Sequence, residues 1–239
     1  YDLIVLVKRP ATGQIEAIRQ SGKPWAWDVV DFYPQPACTG WGKDKSIAWV
    51  RSQIESFKPN GVIWPNAKMA EDCGTAIPDC VIYHHYRPGT NPARIADIVR
   101  MVGYEGSPAY LGRWGHAIRK ECKRRGWKFS DQCRPQDADI CVAFRDKKYD
   151  GYAQRHWKSN VKLANCHGAG VPFLGASENG YLETQAGGEV FCDDIGRLSE
   201  CMDMLTPKAV RDAVSSKFLA HKYPLEAAAK DLWAFLSAM

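Results

Sequence analysis

No stretch of this 239-residue chain approaches the roughly 18 consecutive apolar residues that a membrane-spanning helix needs. The leading apolar run, Leu3 to Val7, is cut off at once by Lys8-Arg9-Pro10, too short for a secretion signal. The sequence opens at Tyr1 without Met, which leaves room for upstream residues. Cysteine is present nine times, yet no CxxC pair and no zinc-type Cys/His spacing occurs. Cys80, Cys141 and Cys192 sit in apolar runs, so buried reduced thiols in a cytoplasmic protein are expected. GxSxG and GxxxxGK[ST] are both missing, which excludes a serine-hydrolase elbow and a P-loop NTPase. The first β–α step lacks GxGxxG, which argues against a dinucleotide dehydrogenase. Internal repeats and low-complexity segments are absent as well.

What is present is an ordinary globular composition, 45% apolar and 25% charged, with a net charge of +5. Basic residues cluster at Arg119-Lys120, Lys123-Arg124-Arg125 and Arg145 to Lys148. Such runs tolerate a polyanionic partner and equally suit a solvated helix face. Short apolar runs alternate with helical patterns. Asp2 to Val7, Trp25 to Tyr33, Val62 to Trp64 and Asp79 to Tyr83 read as strands. Lys43 to Phe57 reads as a helix, with Ile47, Val50, Ile54 and Phe57 on one face. Pro/Gly-rich residues 87–91 lead into a predicted helix over Pro92 to Arg100. Beyond it, Met101 to Gly106, Trp127 to Phe129, Ile140 to Phe144 and Glu189 to Cys192 are predicted strands. Leu111 to Arg125, Leu198 to Leu205 and Pro207 to His221 are predicted helices. The last helix, Pro224 to Met239, carries the stripe Leu225, Ala228, Leu232, Phe235 and Met239, which requires a cover. Continuous apolar strands alternating with helices predict parallel sheets in an α/β fold.

The stretch Trp157 to Glu183 (WKSNVKLANCHGAGVPFLGASENGYLE) organises the second half. Ser159 and Asn160 suit a helix N-cap, Gly168 and Gly170 stop the helix, and Val171 to Leu174 reads as a buried strand. A helix N-terminus beside Lys158 and Lys162 is a ready anion site, with phosphate the usual anion in an α/β setting. An ordinary helix–strand–helix step with surface lysines fits the same residues.

From about Val102 to Leu205 the order glycine turn, helix, strands, KSNVKLANCHGAGVPFL and then Tyr-x-Glu resembles the nucleotide-sugar-binding domain of GT-B glycosyltransferases. The first 100 residues resemble that family only through the Val29-Val30-Asp31 strand and the Val81 to Tyr86 strand with its histidines. The resemblance implies two Rossmann-like parallel-sheet domains facing a cleft. Residues 1–100 would form the acceptor side, 101–222 the donor side, and 223–239 a helix returning to the first domain. It implies a UDP- or GDP-sugar donor held by Gly106, Arg145, Ser159, Asn160 and Lys162, with Tyr181 or Glu183 near the ribose or sugar. Packing for Tyr181 and a helix-dipole role for Glu183 are the alternatives.

Asp28 and Asp31 lie three apart on a strand and point to opposite faces, so they do not pair. Asp31, nearer the strand end, is the candidate general base, and His84 or His85 a candidate for holding acceptor or phosphate. Asp137-Ala138-Asp139 matches the text of a metal-binding DxD, but it precedes a strand where a site residue should follow one. It reads as a turn, and no metal is expected; Asp193-Asp194 reads as a capping turn. The acceptor expectation is a hydroxymethylated base in double-stranded DNA, as in phage DNA modification. A bacterial surface glycan is the rival acceptor, and a nucleotide- or nucleic-acid-binding module without turnover is the rival class.

Overall fold

The computed structural model describes residues 2–31 and 40–239. Its first half runs β1 (Ile4–Val7), α1 (Thr12–Ser21), β2 (Trp25–Asp28), α2 (Lys43–Phe57), β3 (Gly61–Trp64), α3 (Ala67–Cys73) and β4 (Asp79–Val81). The four strands make one parallel sheet in the order β1-β2-β3-β4. Right-handed crossovers that all step in the same direction put every connecting helix on one face. Accordingly Ile15 and Ile18 of α1, Val50 of α2 and Met69 of α3 share one core with Trp25, Trp27, Val62 and Trp64. The three fully buried indoles of that core, Trp27, Trp64 and Trp157, are among its largest apolar contributors. β2 is shorter than its apolar run. Val30 adopts φ +45°, a left-handed conformation that a β-branched residue cannot continue as a strand. Phe32 and Tyr33, the end of the predicted run, lie outside the described residues.

The second half runs β5 (Met101–Tyr104), α4 (Arg113–Arg125), β6 (Lys128–Ser130), β7 (Ile140–Ala143), α5 (Tyr152–His156), α6 (Val161–Ala169), β8 (Phe173–Gly175), α7 (Asn179–Glu183), β9 (Val190–Phe191), α8 (Leu198–Met204), α9 (Lys208–His221) and α10 (Leu225–Ser237). Its five strands form a second parallel sheet, ordered β6-β5-β7-β8-β9. The reversal after β6 places helices on both faces, and strand residues alternate between two cores. Val102, Tyr104, Ile140 and Val142 pack with Ile118 of α4 and Leu198 of α8. Cys141, Ala143 and Phe173 pack with Leu163 of α6 and Phe218 of α9. The architecture is α/β with two parallel sheets, as the alternation of apolar runs predicts.

The first sheet's free face receives α10. A side chain on Gly61 would meet Met239 Sδ and Phe235 Cζ at 2.8 Å, so glycine there lets the terminal helix approach the sheet. The helix predicted over residues 92–100 is not formed. Its backbone groups are spent elsewhere: Ala93 N–H donates to Ala169 O at 2.8 Å, and Arg211 Nη2 donates to Ala96 O at 2.7 Å. Buried Arg211 thus pins this segment as an extended strap. Three short helices that the periodicity did not announce, α1, α3 and α5, complete the chain. Although α5 follows the second sheet's β7, Ala153 and Trp157 pack into the first sheet's core.

Candidate active site between the two sheets

Parallel sheets place ligands outside the carboxyl ends of their strands, at the point where strand order reverses. Among the described strands the first sheet has no reversal. The second has one, between β5 and β7. At that point Gly106 and Ser107 follow β5, and Arg145 follows β7. They form one side of a crevice of about 400 Å³. Its opposite wall carries Lys8 and Arg9 from the end of β1 and Asp31 from beyond β2, and its third side carries Lys158 and Lys162 beside the start of α6. Gly106 sits at φ +149°, and a Cβ there would press on the Tyr104 ring at 3.0–3.3 Å. Glycine therefore keeps the crevice floor open.

Lys162 Nζ donates to the Tyr104 hydroxyl at 3.1 Å and lies 4.2 Å from the ring centroid. Burial, reinforced by the neighbouring Arg145 charge, pulls its pKa down to about 8. No carboxylate ion-pairs with Lys162 among the described residues. Arg145 meets Glu178 at 3.3 Å through Nε and Nη2. It also borders a second cavity of about 300 Å³, lined by Trp114, Asp146, Ser177, Glu178 and Asp193 at the ends of β7, β8 and β9. Asp31 is drawn in two directions. Burial raises its pKa, but Lys158 Nζ at 2.8 Å and the Ser159 N–H at 3.1 Å outweigh burial and hold it below the usual carboxylate value. It is a stable anion and a weakened base.

Of the residues singled out from the sequence, Asp31, Gly106, Arg145 and Lys162 line the crevice. Ser159 and Asn160 do not line it, although Lys158 and Lys162 on either side of them do. The Ser159 hydroxyl is buried without a partner among the described residues, and Asn160 Oδ1 accepts the His84 N–H at 2.8 Å. Asn160 holds the N-cap position of α6 but makes no cap hydrogen bond, so the expected side-chain cap is absent. Among the described residues, then, no N-cap side chain occupies the first N–H groups of α6, the kind of helix start at which anions bind. His84 itself is not on the crevice wall. Its Nδ1 donates to His85 O at 2.8 Å, and its backbone is tied to Asn160.

Two further expectations are corrected. Tyr181 is 3% exposed and packs edge-on against Phe173 at 5.0 Å, so packing and not sugar contact explains it. Glu183 faces away from the crevice. Its carboxylate accepts the N–H groups of Ala67 at 2.7 Å and Lys68 at 3.0 Å, capping α3 of the other sheet, and takes the Tyr83 hydroxyl at 3.1 Å. Asp139 accepts the Arg100 and Met101 N–H groups at 2.7 and 2.8 Å, the local turn role expected of it. Asp194 caps Gly196 N–H at 2.9 Å in the same manner. Among the described residues no group of three or more His, Cys, Asp or Glu side chains could hold a metal ion. Lys8, Arg9 and Tyr104 escaped the sequence reading as site residues. The available signal was position: each lies at or just past the carboxyl end of an apolar strand.

No family model matches the chain, and no curated protein matches it in sequence. The fold is that of the GT-B glycosyltransferases. Anabaena HepE, solved with UDP and glucose, superposes with a TM-score of 0.66 over 100% of this chain and 78% of its own, at 11% identity. The same protein solved with UDP-glucose gives 0.66 over 100% and 79%, at 12% identity. The lipopolysaccharide outer core galactosyltransferase WaaB, in its apo form, gives 0.53 over 98% and 75%, at 10% identity. At such identities the likeness is one of fold.

Proposed function

We propose that this protein transfers a sugar from a UDP- or GDP-linked donor to a hydroxyl acceptor. The observation that carries the reading is Lys162: a half-buried cation crowded by Arg145, with no ion-paired carboxylate among the described residues, at the start of α6, where Asn160 makes no side-chain cap. The Lys162 charge, crowded by Arg145 and set beside a helix N-terminus, is disfavoured by burial until an anion arrives, and a diphosphate supplies it. In this reading the nucleoside enters the neighbouring cavity past Arg145. The sugar then lies in the crevice against the wall that carries Asp31. The GT-B fold shared with HepE, which has been solved with UDP-glucose, supports the same assignment.

The chemistry follows from these positions. The acceptor oxygen attacks the anomeric carbon, and the bond from that carbon to the β-phosphate oxygen breaks. Negative charge grows on the departing diphosphate, where Arg145, Lys162 and the α6 N–H groups meet it. We assign the acceptor proton to Asp31, which Lys158 keeps ionised at some loss of basicity. Side-chain cations carry the phosphate charge in this scheme, so turnover persists in EDTA. Residues 1–100 serve the acceptor, 101–222 the donor, and 223–239 return to the first sheet.

The acceptor panel contains DNA bearing hydroxymethylated bases, the expectation from the sequence, and a bacterial surface glycan as its rival. Incubation with UDP- and GDP-sugars, followed by mass analysis of acceptor and released nucleotide, tests the proposal. Transfer to either acceptor supports it. Tight nucleotide binding without donor turnover on any acceptor assigns a binding module instead.

A further inference from the structure

Five cationic side chains, Lys8, Arg9, Arg145, Lys158 and Lys162, share the crevice with one carboxylate, Asp31. The proposed diphosphate does not employ all of them. Arg145 and Lys162 stand on its side, and Lys158 is committed to Asp31 at 2.8 Å. Lys8 and Arg9 remain, on the opposite wall, exposed and in no close ion pair among the described residues, although the Lys8 charge helps to hold Asp31 ionised from a distance.

Exposed cations on an ordinary surface would mean little. The backbone beneath these two sets them apart. Lys8 sits at φ +68°, in the left-handed region that a long side chain occupies only at a cost. It is held there from both sides: its N–H donates to Asp28 O at 2.7 Å, and the buried Trp27 Nε1 donates to its carbonyl at 3.0 Å. Pro10 follows and fixes the next turn of the chain. A strained conformation that its surroundings over-determine is a mark of function, and here it presents two positive charges at the crevice mouth.

We propose that Lys8 and Arg9 bind a phosphate carried by the acceptor, which is therefore a phosphorylated hydroxyl compound and not a neutral one. This rests on the nucleotide-sugar reading of the same crevice. Two cations match one phosphate. A DNA duplex would need cations along its length. On α4 the three arginines of the basic run are already engaged, Arg119 with Asp131, Arg124 with Glu121 and Arg125 with Asp203. A small phosphorylated acceptor is the better match.

The test uses the full chain saturated with UDP, so that the donor side is blocked, titrated calorimetrically with glucose 6-phosphate and with glucose. Wild type is compared with a Lys8→Asn/Arg9→Gln double variant, in which asparagine tolerates the left-handed backbone. Glucose 6-phosphate should bind wild type and lose roughly tenfold or more in affinity in the variant. Glucose should not distinguish the two proteins, and UDP affinity should not change. Arg9→Gln alone serves if the double variant melts early. Equal binding of glucose 6-phosphate to both proteins, or none to either, overturns the proposal. So does a loss of UDP affinity in the variant, or duplex DNA binding through these residues in place of the sugar phosphate. Failure of wild type to bind UDP removes the nucleotide-sugar reading itself, whereas intact UDP binding with a charge-insensitive second titration removes only this inference.

Discussion

Glu183 and Ala67 join the two sheets: the carboxylate at the end of α7 accepts the N–H that opens α3, at 2.7 Å. The Lys68 N–H and the Tyr83 hydroxyl complete the clasp. A buried-edge carboxylate at a helix N-terminus stabilises through charge-assisted bonds and the helix dipole together. Its position makes it structural, and Asn66 reinforces it by donating to His156 O and Lys158 O at 3.0 and 2.9 Å.

Glu183→Gln should therefore cost about 1–3 kcal/mol of stability. For a chain of this size that lowers the melting temperature by about 2–4 °C per kcal/mol. UDP affinity measured at a temperature where both proteins are folded should be unchanged. A large loss of UDP binding with normal melting would return Glu183 to the donor site.

Lys162 makes the opposite prediction. Its folded pKa of about 8 lies below the ordinary lysine value because burial and Arg145 disfavour the charge. Between pH 8 and the unfolded value the unfolded chain holds the extra proton, so this group's contribution to stability rises with pH across that window. Lys162→Met removes the penalty and should melt at or above the wild-type temperature at pH 7. Its UDP affinity should nevertheless fall at least tenfold, the loss of one charge-assisted phosphate contact. Wild-type UDP affinity should in turn weaken above pH 8. A pH-independent affinity through that range sinks this account of Lys162.

Asp28 titrates in the other sense. Burial pushes it up to about 6, only partly offset by the Val30 N–H, on the sheet face that α10 covers beside Cys80 and near Asp231. A carboxylate raised in the folded state loses its proton first in the unfolded chain, so stability falls as pH rises from about 4 to 6. Asp28→Asn should flatten that decline and stabilise the protein at pH 7 by on the order of 1 kcal/mol, discounted for partial exposure. Melting temperatures recorded from pH 4 to 7 decide the matter. Parallel curves for the two proteins would assign the pH dependence to other groups.

How much of this was legible beforehand depends on how local the cause is. α2 could be read to both ends because Ile47, Val50, Ile54 and Phe57 repeat at helical spacing and Pro59 follows. α1 was silent because only Ile15 and Ile18 of its ten residues are buried. Arg145, Gly106 and Lys162 stood out because each sits at a strand end or helix start, where backbone geometry alone directs them toward the crevice. Glu183 could not be read in this way, since its partner lies 116 residues earlier and on another sheet. The segment 92–100 failed for a related reason: a buried arginine from α9 takes carbonyls that a helix would need. Distant side chains overrode local propensity in both cases.

Gly180 offers a test of whether α7 positions the site through packing alone. A Cβ there would stand 2.4 Å from Lys158 O and 3.1 Å from Asn160 N, and both contacts are backbone atoms without rotamers to yield. Gly180→Ala must therefore displace the Lys158 to Asn160 bend. That bend carries the Ser159 N–H to Asp31, the Lys158 carbonyl to Asn66, and the entry to α6 with Lys162. Overpacking of this kind costs about 1–3 kcal/mol. UDP affinity should fall several-fold as well, although Gly180 does not line the crevice. Gly13→Ala is the control, because nothing lies within 4 Å of its Cβ and alanine is the better helix former. It should leave UDP binding alone and raise stability by about 0.5–1 kcal/mol. Equal UDP affinity in Gly180→Ala and Gly13→Ala would show that the bend does not place Lys162.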